Sequence, residues 1–135
     1  MINYTDTAAG ITPDRLEGFF VGWPKAPSPE THLQLLKNSH QVVVALDSET
    51  GRVVGFITAI SDGLLAAYLP LLEVLPEYQK QGIGAELVRR MLALLDGLYM
   101  IDLICDSELR PFYERLGMKP VGGMAVRNYD RQAGN

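Results

Sequence analysis

The sequence contains only one cysteine, Cys105, among its 135 residues. A single thiol cannot close an intramolecular disulfide, and it cannot provide a cysteine-based zinc cluster. The two histidines, His32 and His40, have no other ligand-type residues clustered around them. We therefore expect both to be surface or hydrogen-bonded polar residues, and we expect no metal site.

The chain also lacks long apolar runs and an excess of positive charge. No apolar stretch approaches the roughly 18 residues of a membrane helix, and the first residues lack the basic-then-apolar pattern of a signal peptide. Twelve basic residues against 16 acidic ones give a net charge of −4, which disfavours nonspecific binding to nucleic acid. These absences predict a cytoplasmic protein that binds neither membranes nor nucleic acid.

What is present is typical of a globular protein. Apolar residues make up 47% of the chain and charged residues 21%, which is enough apolar material for a core. A length of 135 residues is close to the commonest domain size, so we expect a single domain over residues 1–135.

The first half predicts two helices and then three antiparallel strands. Thr12 and Pro13 are typical of a helix start, and a second helix is expected over residues 30–38. Two β-branched runs then flank a turn at residues 47–51 and predict a hairpin. A third strand is expected over residues 66–74, with a bulge or a lost neighbour at Pro70.

The second half predicts helix, strand, helix and strand. Apolar residues recur at helical spacing over residues 82–96, a buried strand is expected over 99–104, and a short helix over 109–116. Residues 118–129 have the composition of a final strand. The fold class is therefore α/β with a mixed sheet, in which a right-handed parallel crossover joins the third and fourth strands.

The entry to the long helix has the composition of an anion site. Gly82 and Gly84 allow close approach to the backbone, the first helical amides lack partners, and Lys80 adds a cation. The glycines are equally explained by tight strand–helix packing. Two nucleotide motifs do not fit, because the chain has no Gly-Lys-Ser/Thr sequence and Leu87 stands where a dinucleotide fingerprint needs its third glycine.

Two segments resemble the GNAT acetyltransferase family. Residues 79–84, Gln-Lys-Gln-Gly-Ile-Gly, resemble its Gln/Arg-x-x-Gly-x-Gly/Ala signature, and residues 72–78 resemble the strand and loop that precede it. Residues 111–118 resemble its Phe-Tyr-x-x-x-Gly-Phe segment, with Met118 in place of the last aromatic residue. The element order is also that of the family, so the resemblance spans essentially the whole chain.

The resemblance implies a GNAT-like mixed central sheet, flanked by helices, with antiparallel N-terminal strands and a central splayed parallel pair. It implies that acetyl-CoA is the cosubstrate and that an amine attacks it directly. Amides of the signature would hold the pyrophosphate, while backbone groups of the preceding strand would pair with the pantetheine arm. The implied coenzyme-binding residues are Leu72, Val74, Gln79, Lys80, Gln81, Gly82, Ile83, Gly84 and Ala85. A homodimer is also implied as a plausible assembly.

The resemblance places Tyr113 where the family often has the acid that protonates the departing thiolate; the alternative is that its ring only packs beside the coenzyme. Glu73 and Tyr68 are the candidate bases. Strand alternation could instead point Glu73 to the opposite face, as a structural or solvated group. Asp106 stands where many relatives have asparagine, and Cys105 is expected to be an inert buried thiol.

The acceptor is expected to contact Trp23, Asp62 and Arg127, and Trp23 is equally explained as a core anchor. A small-molecule amine is favoured, while a peptide or protein amine stays open. A non-catalytic acyl-CoA-binding module and a scaffold that serves only dimerisation are the alternative classes.

Overall fold

A computed structural model describes all 135 residues, and its centre is one six-stranded sheet. The strands are β1 Ile2–Thr5, β2 Gln41–Asp47, β3 Val53–Ser61, β4 Ala66–Tyr68, β5 Leu72–Val74 and β6 Met100–Asp102. The helices are α1 Pro29–Asn38, α2 Ile83–Leu94 and α3 Arg110–Glu114. Short 3-10 helices cover Pro13–Leu16, Pro76–Tyr78, Ser107–Leu109 and Tyr129–Arg131.

The sheet is mixed, as predicted. Its order is β1-β2-β3-β4-β6, with β5 also pairing with β3, and every pair is antiparallel except β4 with β6. The parallel pair runs from Ala66 opposite Met100 to Tyr68 opposite Asp102. After β4 the chain continues into β5, which pairs with β3 and not with β6. The splayed arrangement expected for the parallel strands is therefore present.

The predicted irregularity at Pro70 is a one-residue slip in register. Ile60 is opposite Tyr68 and Ile57 is opposite Leu72, so β3 advances three residues while the facing chain advances four. The extra residue reverses the alternation of side chains between β4 and β5. As a result, Tyr68 and Glu73 lie on the same face of the sheet although their numbers differ by five.

Helix α2 packs on one face of the sheet because Gly55 leaves space for it. A Cβ at Gly55 would lie 3.1 Å from Leu87 Cδ1 and 3.3 Å from Ile83 Cγ2, tighter than ordinary contact. The other face carries Phe56, which is fully buried and opposes Glu73 in register. The sheet thus separates the α2 side from the side that holds Glu73.

Helix α1 covers the Phe56 side of the sheet. It begins after Ser28, whose Oγ accepts the N–H of Thr31 at 3.1 Å, and Pro29 occupies its first turn. His32 lies on the inner side of α1, 1% exposed, with its ring centroid 4.3 Å from that of Phe56. The expectation of a surface or hydrogen-bonded histidine is wrong here, because neither ring nitrogen has a partner.

The prediction and the structure differ at three elements. The helix expected from Thr12 is one 3-10 turn, Pro13–Leu16, and Gly18 beyond it has a left-handed φ of 92°. The N-terminal strand β1 was not predicted, because its four residues are too few to show a period. The final strand expected over 118–129 is wrong, because residues 118–128 pair with no strand.

The strand expected to be buried over residues 99–104 is shorter and more exposed. Only Met100–Asp102 pairs, with β4 alone, and Met100 is 39% exposed. Its outer edge is uncovered because no final strand lies beside it. None of the helices combines the length and apolar character needed to cross a bilayer.

Candidate functional site

The loop between β5 and α2 is anchored at its start by a partly buried side-chain hydrogen bond. Tyr78 Oη donates to Asp47 Oδ2 at 2.7 Å. This bond lowers the pKa of Asp47 and raises the pKa of Tyr78, since it stabilises the carboxylate and the neutral phenol together. The 3-10 turn Pro76–Tyr78 is therefore tied to the end of β2, and the following residues start from a defined position.

The loop then leaves its backbone amides without partners in the chain. Lys80 has a φ of 64° and Gly82 a φ of 82°, with Gln81 between them. No amide from residue 80 to residue 85 donates a hydrogen bond within the chain, and the first paired amide is that of Glu86, to Gly82 O at 3.1 Å. Successive unpaired amides in a turn can form a concave anion-binding nest, and the N-terminal end of α2 adds its dipole. This loop is suited to bind phosphate or pyrophosphate.

The two glycines of the loop have different roles. Gly82 has open space around its Cα, so its requirement is the left-handed backbone alone. A Cβ at Gly84 would meet Phe112 Cζ at 3.6 Å and Val74 Cγ2 at 3.8 Å, which is ordinary van der Waals contact. The first position needs glycine for conformation, whereas the second accepts an alanine.

The edge of β5 is open on the side away from β3. Leu75 N donates to Val54 O at 2.9 Å, and Leu71 O accepts from Thr58 N at 3.1 Å, so these groups face β3. By alternation, the peptide groups of Leu72 and Val74 face the open edge. Val74 O is bonded there by Gln79 Nε2 at 2.9 Å. The edge can therefore receive an extended ligand, and Gln79 ties it to the amide loop.

Tyr113 on α3 lies near the end of β6. Its ring packs edge-on against Phe112 with centroids 4.9 Å apart, and Phe112 in turn reaches Gly84. Burial, and next the charge of Cys105, raise the pKa of Tyr113. The hydroxyl makes no hydrogen bond within the chain and is held in its neutral, proton-donating form at physiological pH. Asp106 is exposed and directly precedes the 3-10 helix Ser107–Leu109, but its side chain makes no capping hydrogen bond there.

Glu73 lies on the Phe56 face, with both carboxylate oxygens engaged. Oε1 accepts the N–H of Phe20 at 2.8 Å and Oε2 that of Val21 at 3.2 Å. The Glu73 carboxylate therefore has structural partners in the loop of Phe20 and Val21. Tyr68 is half-buried on the same face, and its hydroxyl makes no hydrogen bond within the chain. The base roles of Glu73 and Tyr68 stay predictions. The contacts of Glu73 weigh against its acting as the base.

The three predicted acceptor contacts belong to different segments of the chain and share no hydrogen-bond partner. Trp23 is 39% exposed and packs on Phe20 with ring centroids 4.9 Å apart, so it belongs to the loop held by Glu73. Asp62 Oδ1 accepts the three amides of residues 64–66, which lowers the pKa of Asp62 and closes the β3–β4 turn. Arg127 lies on the exposed C-terminal segment, with only the neighbouring Val126 carbonyl as a partner.

Sequence reasoning missed the aromatic cluster beneath the Trp23 loop. Phe19 and Phe20 pack around His32 with ring centroids 5.3 and 4.9 Å from it. The spacing of His32 and Leu36, four residues apart and both buried, was the available signal for an inward-facing histidine. No group of three His, Cys, Asp or Glu side chains is arranged to hold a metal ion.

Comparisons with known proteins agree with this geometry. Residues 9–118 match the acetyltransferase (GNAT) family. A crystal structure of a proposed acetyltransferase from Deinococcus radiodurans is 48% identical, with a TM-score of 0.94 over 98% of this chain and 92% of that one. A GNAT family acetyltransferase from Streptococcus pneumoniae is 29% identical, with a TM-score of 0.76 over 95% and 98%. The chain belongs to the GNAT acetyltransferase family.

Curated relatives are longer proteins. The chain is 32% identical over 111 residues to the histone acetyltransferase TAP1 of Glycine max, which covers 73% of this chain and 47% of that protein. It is 39% identical over 79 residues to the chloroplastic GCN5-related N-acetyltransferase 3 of Arabidopsis thaliana, covering 57% and 33%. The chain thus spans between a third and a half of the length of these relatives.

Proposed function

We propose that the chain is an acetyl-CoA-dependent N-acetyltransferase that transfers the acetyl group directly to the amine of a small molecule. The observation that carries the proposal is the run of unpaired amides at residues 80–85 beside the open edge of β5. Pyrophosphate suits the amides, and an amide-containing pantetheine arm suits a strand edge. We further propose that the protein acts in the cytoplasm.

Tyr113 supplies the proton that direct transfer requires. A neutral amine attacks the thioester carbonyl, a C–N bond forms, the C–S bond breaks, and the departing thiolate needs a proton. The neutral Tyr113 hydroxyl has no competing partner within the chain. The base that deprotonates the incoming amine is proposed to be Tyr68, acting through water, since both oxygens of Glu73 are occupied.

Acetyl-CoA binding is tested by calorimetry with wild type, Gly84→Asp and Gly97→Asp. A Cβ at Gly84 would make only ordinary contacts, so the variant should fold while placing a carboxylate near the bound pyrophosphate. Gly97 is the matched control, because it lies beyond the other end of α2 with open space around it. Binding by wild type and Gly97→Asp but not by Gly84→Asp supports the site. A folded wild type that binds no acetyl-CoA contradicts the proposal.

A turnover assay distinguishes a small-amine acetyltransferase from a protein acetyltransferase and from a non-catalytic binding module. Acetyl-CoA should be consumed, with release of free thiol, when a panel of small amines is supplied. The name of the Glycine max relative makes a protein lysine the second candidate acceptor, so basic peptides belong in the same panel. Thiol release with peptides alone would move the substrate class to proteins. Tight coenzyme binding with no acceptor in either panel, unchanged in Tyr113→Phe, would indicate a non-catalytic acyl-CoA-binding module.

A further inference from the structure

Asp102 lies at the point where the two parallel strands separate. It is opposite Tyr68 in the register of β4 and β6, and its carbonyl oxygen accepts the N–H of Leu69 at 2.9 Å. The chain beyond Asp102 pairs with no strand, and β5 pairs with β3 instead. Asp102 is therefore the last paired residue of β6 before the gap that the splayed strands leave.

The Asp102 side chain lies on the same face of the sheet as Tyr68 and Glu73. Residues that are opposite one another on neighbouring strands project from the same face, so the register places Asp102 beside Tyr68. Helix α2, whose first turn belongs to the proposed coenzyme site, packs on the other face against Gly55. An amine that enters the gap from the face opposite α2 therefore meets Asp102 and Tyr68 together.

The Asp102 carboxylate has no partner within the chain. The residue is exposed, and its side chain forms neither a hydrogen bond nor an ion pair. Two other carboxylates of this part of the sheet are engaged. Glu73 accepts two backbone amides of the loop before α1, and Asp62 accepts the amides of its own turn. Asp102 is free to bind a ligand.

The strands around Asp102 carry no positive charge. Residues 53–79, which contain β3, β4 and β5, include no lysine or arginine. Residues 91–109, which contain β6, include none either, although both segments include several acidic residues. A surface of this kind attracts cations and repels a carboxylate or a phosphate.

The cations of the flanking elements form no ion pair with Asp102. Lys25, in the loop before α1, is 3.6 Å from the carboxylate of Asp130. Arg127 lies on the exposed C-terminal segment, where its partner is the neighbouring backbone carbonyl. Burial lowers the pKa of His32 to about 4, so this side chain carries no charge at neutral pH. A positively charged ligand is therefore the partner that Asp102 lacks.

We propose that Asp102 determines the acceptor specificity by binding a second ammonium group, so that the acceptors are aliphatic diamines or polyamines. This inference rests on the proposed function, because it specifies the amine that the same site acetylates. Neighbouring strands are about 4.8 Å apart, so one amino group can enter the gap beside Tyr68 while another, a few carbons away, binds Asp102. The C–N bond forms at the first amino group and the C–S bond breaks, and Asp102 takes no part in either change.

Acceptors of one chain length test the role of the distant charge. Putrescine, butylamine and γ-aminobutyrate share a primary amine on four carbons and differ at the far end, which is cationic, neutral or anionic at neutral pH. After correction for its two equivalent amines, putrescine should have a kcat/KM about threefold or more above that of butylamine, and γ-aminobutyrate should have the lowest. The preference should shrink as salt is added, because salt screens an exposed charge.

Three variants show whether Asp102 is the source of this preference. Asp102→Asn should bring putrescine down to the level of butylamine while acetyl-CoA affinity stays unchanged. Asp102→Glu keeps the charge and should keep the preference. Asp96→Asn is the matched control, because it removes the same charge from an exposed residue between α2 and the start of β6, at the other end of the strand. An equal loss with all the acceptors in Asp102→Asn would indicate a structural role and overturn the proposal.

Calorimetry with the same acceptors tests the site without turnover. Putrescine, added with and without free coenzyme A, should bind wild type more tightly than Asp102→Asn. A wild type that binds the acceptors alike, or binds none of them, overturns the inference. Acetylation of amines regardless of their distant charge would overturn this inference alone and leave the proposed function intact. Absence of acetyl-CoA binding would contradict the proposed function, whereas putrescine binding that depends on Asp102 would still support the cation site.

Discussion

The carboxylate of Glu73 accepts the backbone N–H of Phe20 at 2.8 Å across a separation of 53 residues. Phe20 has a φ of 62°, an unusual left-handed conformation for a bulky residue. Such strain costs of order 1–3 kcal/mol and persists only when the surroundings enforce it. Glu73 thus connects the open strand β5 to the loop that carries Trp23, one of the predicted acceptor contacts.

Glu73→Gln should loosen this loop without disturbing the proposed coenzyme site. The amide retains one acceptor oxygen but turns an N–H donor toward one of the two backbone N–H groups, so we expect a loss of about 1–2 kcal/mol of stability. The KM for the amine should rise several-fold while the affinity for acetyl-CoA stays unchanged. Urea unfolding, steady-state kinetics and calorimetry measure these effects. If Glu73 were the base, kcat would fall instead and the acidic limb of its pH profile would disappear.

Tyr113→Phe should lower kcat by about 10²-fold or more, within the usual range for general acid catalysis. Acetyl-CoA affinity should be unchanged, because only a hydroxyl is removed. Burial raises the pKa of Tyr113 above its ordinary value of 10.0, so the proton-donating form is lost at a higher pH than in an exposed tyrosine. Rates measured from about pH 6 to about pH 9 should therefore show no alkaline decline due to this residue. Tyr99→Phe, at an 82% exposed tyrosine, is the control and should retain activity.

His32 should make the fold acid-sensitive. Burial among aromatic rings lowers the pKa of His32 from 6.5 to about 4, so below pH 6.5 the unfolded chain binds the proton more readily than the folded chain. Stability should fall as the pH drops from about 6.5 to 4, by roughly 3 kcal/mol over the whole interval. Urea unfolding of wild type and His32→Leu at several pH values checks this. The substitution should flatten the dependence, and His40→Gln controls for loss of an exposed imidazole.

Gly82→Ala and Gly84→Ala should differ although they lie two residues apart. Alanine at Gly82 must adopt a φ of 82°, which costs about 1–2 kcal/mol or shifts the amides out of position. Alanine at Gly84 lies inside α2 with only ordinary contacts, so stability should be retained or rise by up to about 1 kcal/mol. Thermal unfolding measures the change in stability of each variant, and acetyl-CoA titration measures whether the amides have moved out of position. Equal stability and equal acetyl-CoA affinity of the two variants would contradict the view that only Gly82 requires glycine for its backbone conformation.

The sequence alone predicted the long helix, the hairpin and the glycine-containing loop that precedes the helix. These features depend on local signals: apolar residues at helical period over residues 82–96, β-branched runs around the turn at 47–51, and Gly82 where the backbone must be left-handed. Pro70 predicted the register slip from a local signal as well. Proline has no backbone N–H, so it interrupts the hydrogen bonds between paired strands in any fold.

Only the tertiary structure decided where side chains point and which strands find partners. The slip at Pro70 places Glu73 against Phe20, and α1 buries His32 against Phe56. Residues 118–129 have strand composition but pair with no strand of their own chain. A sequence pattern reports the preference of a segment for extended backbone. Whether a neighbouring strand supplies the hydrogen bonds depends on the position of every other element in the fold.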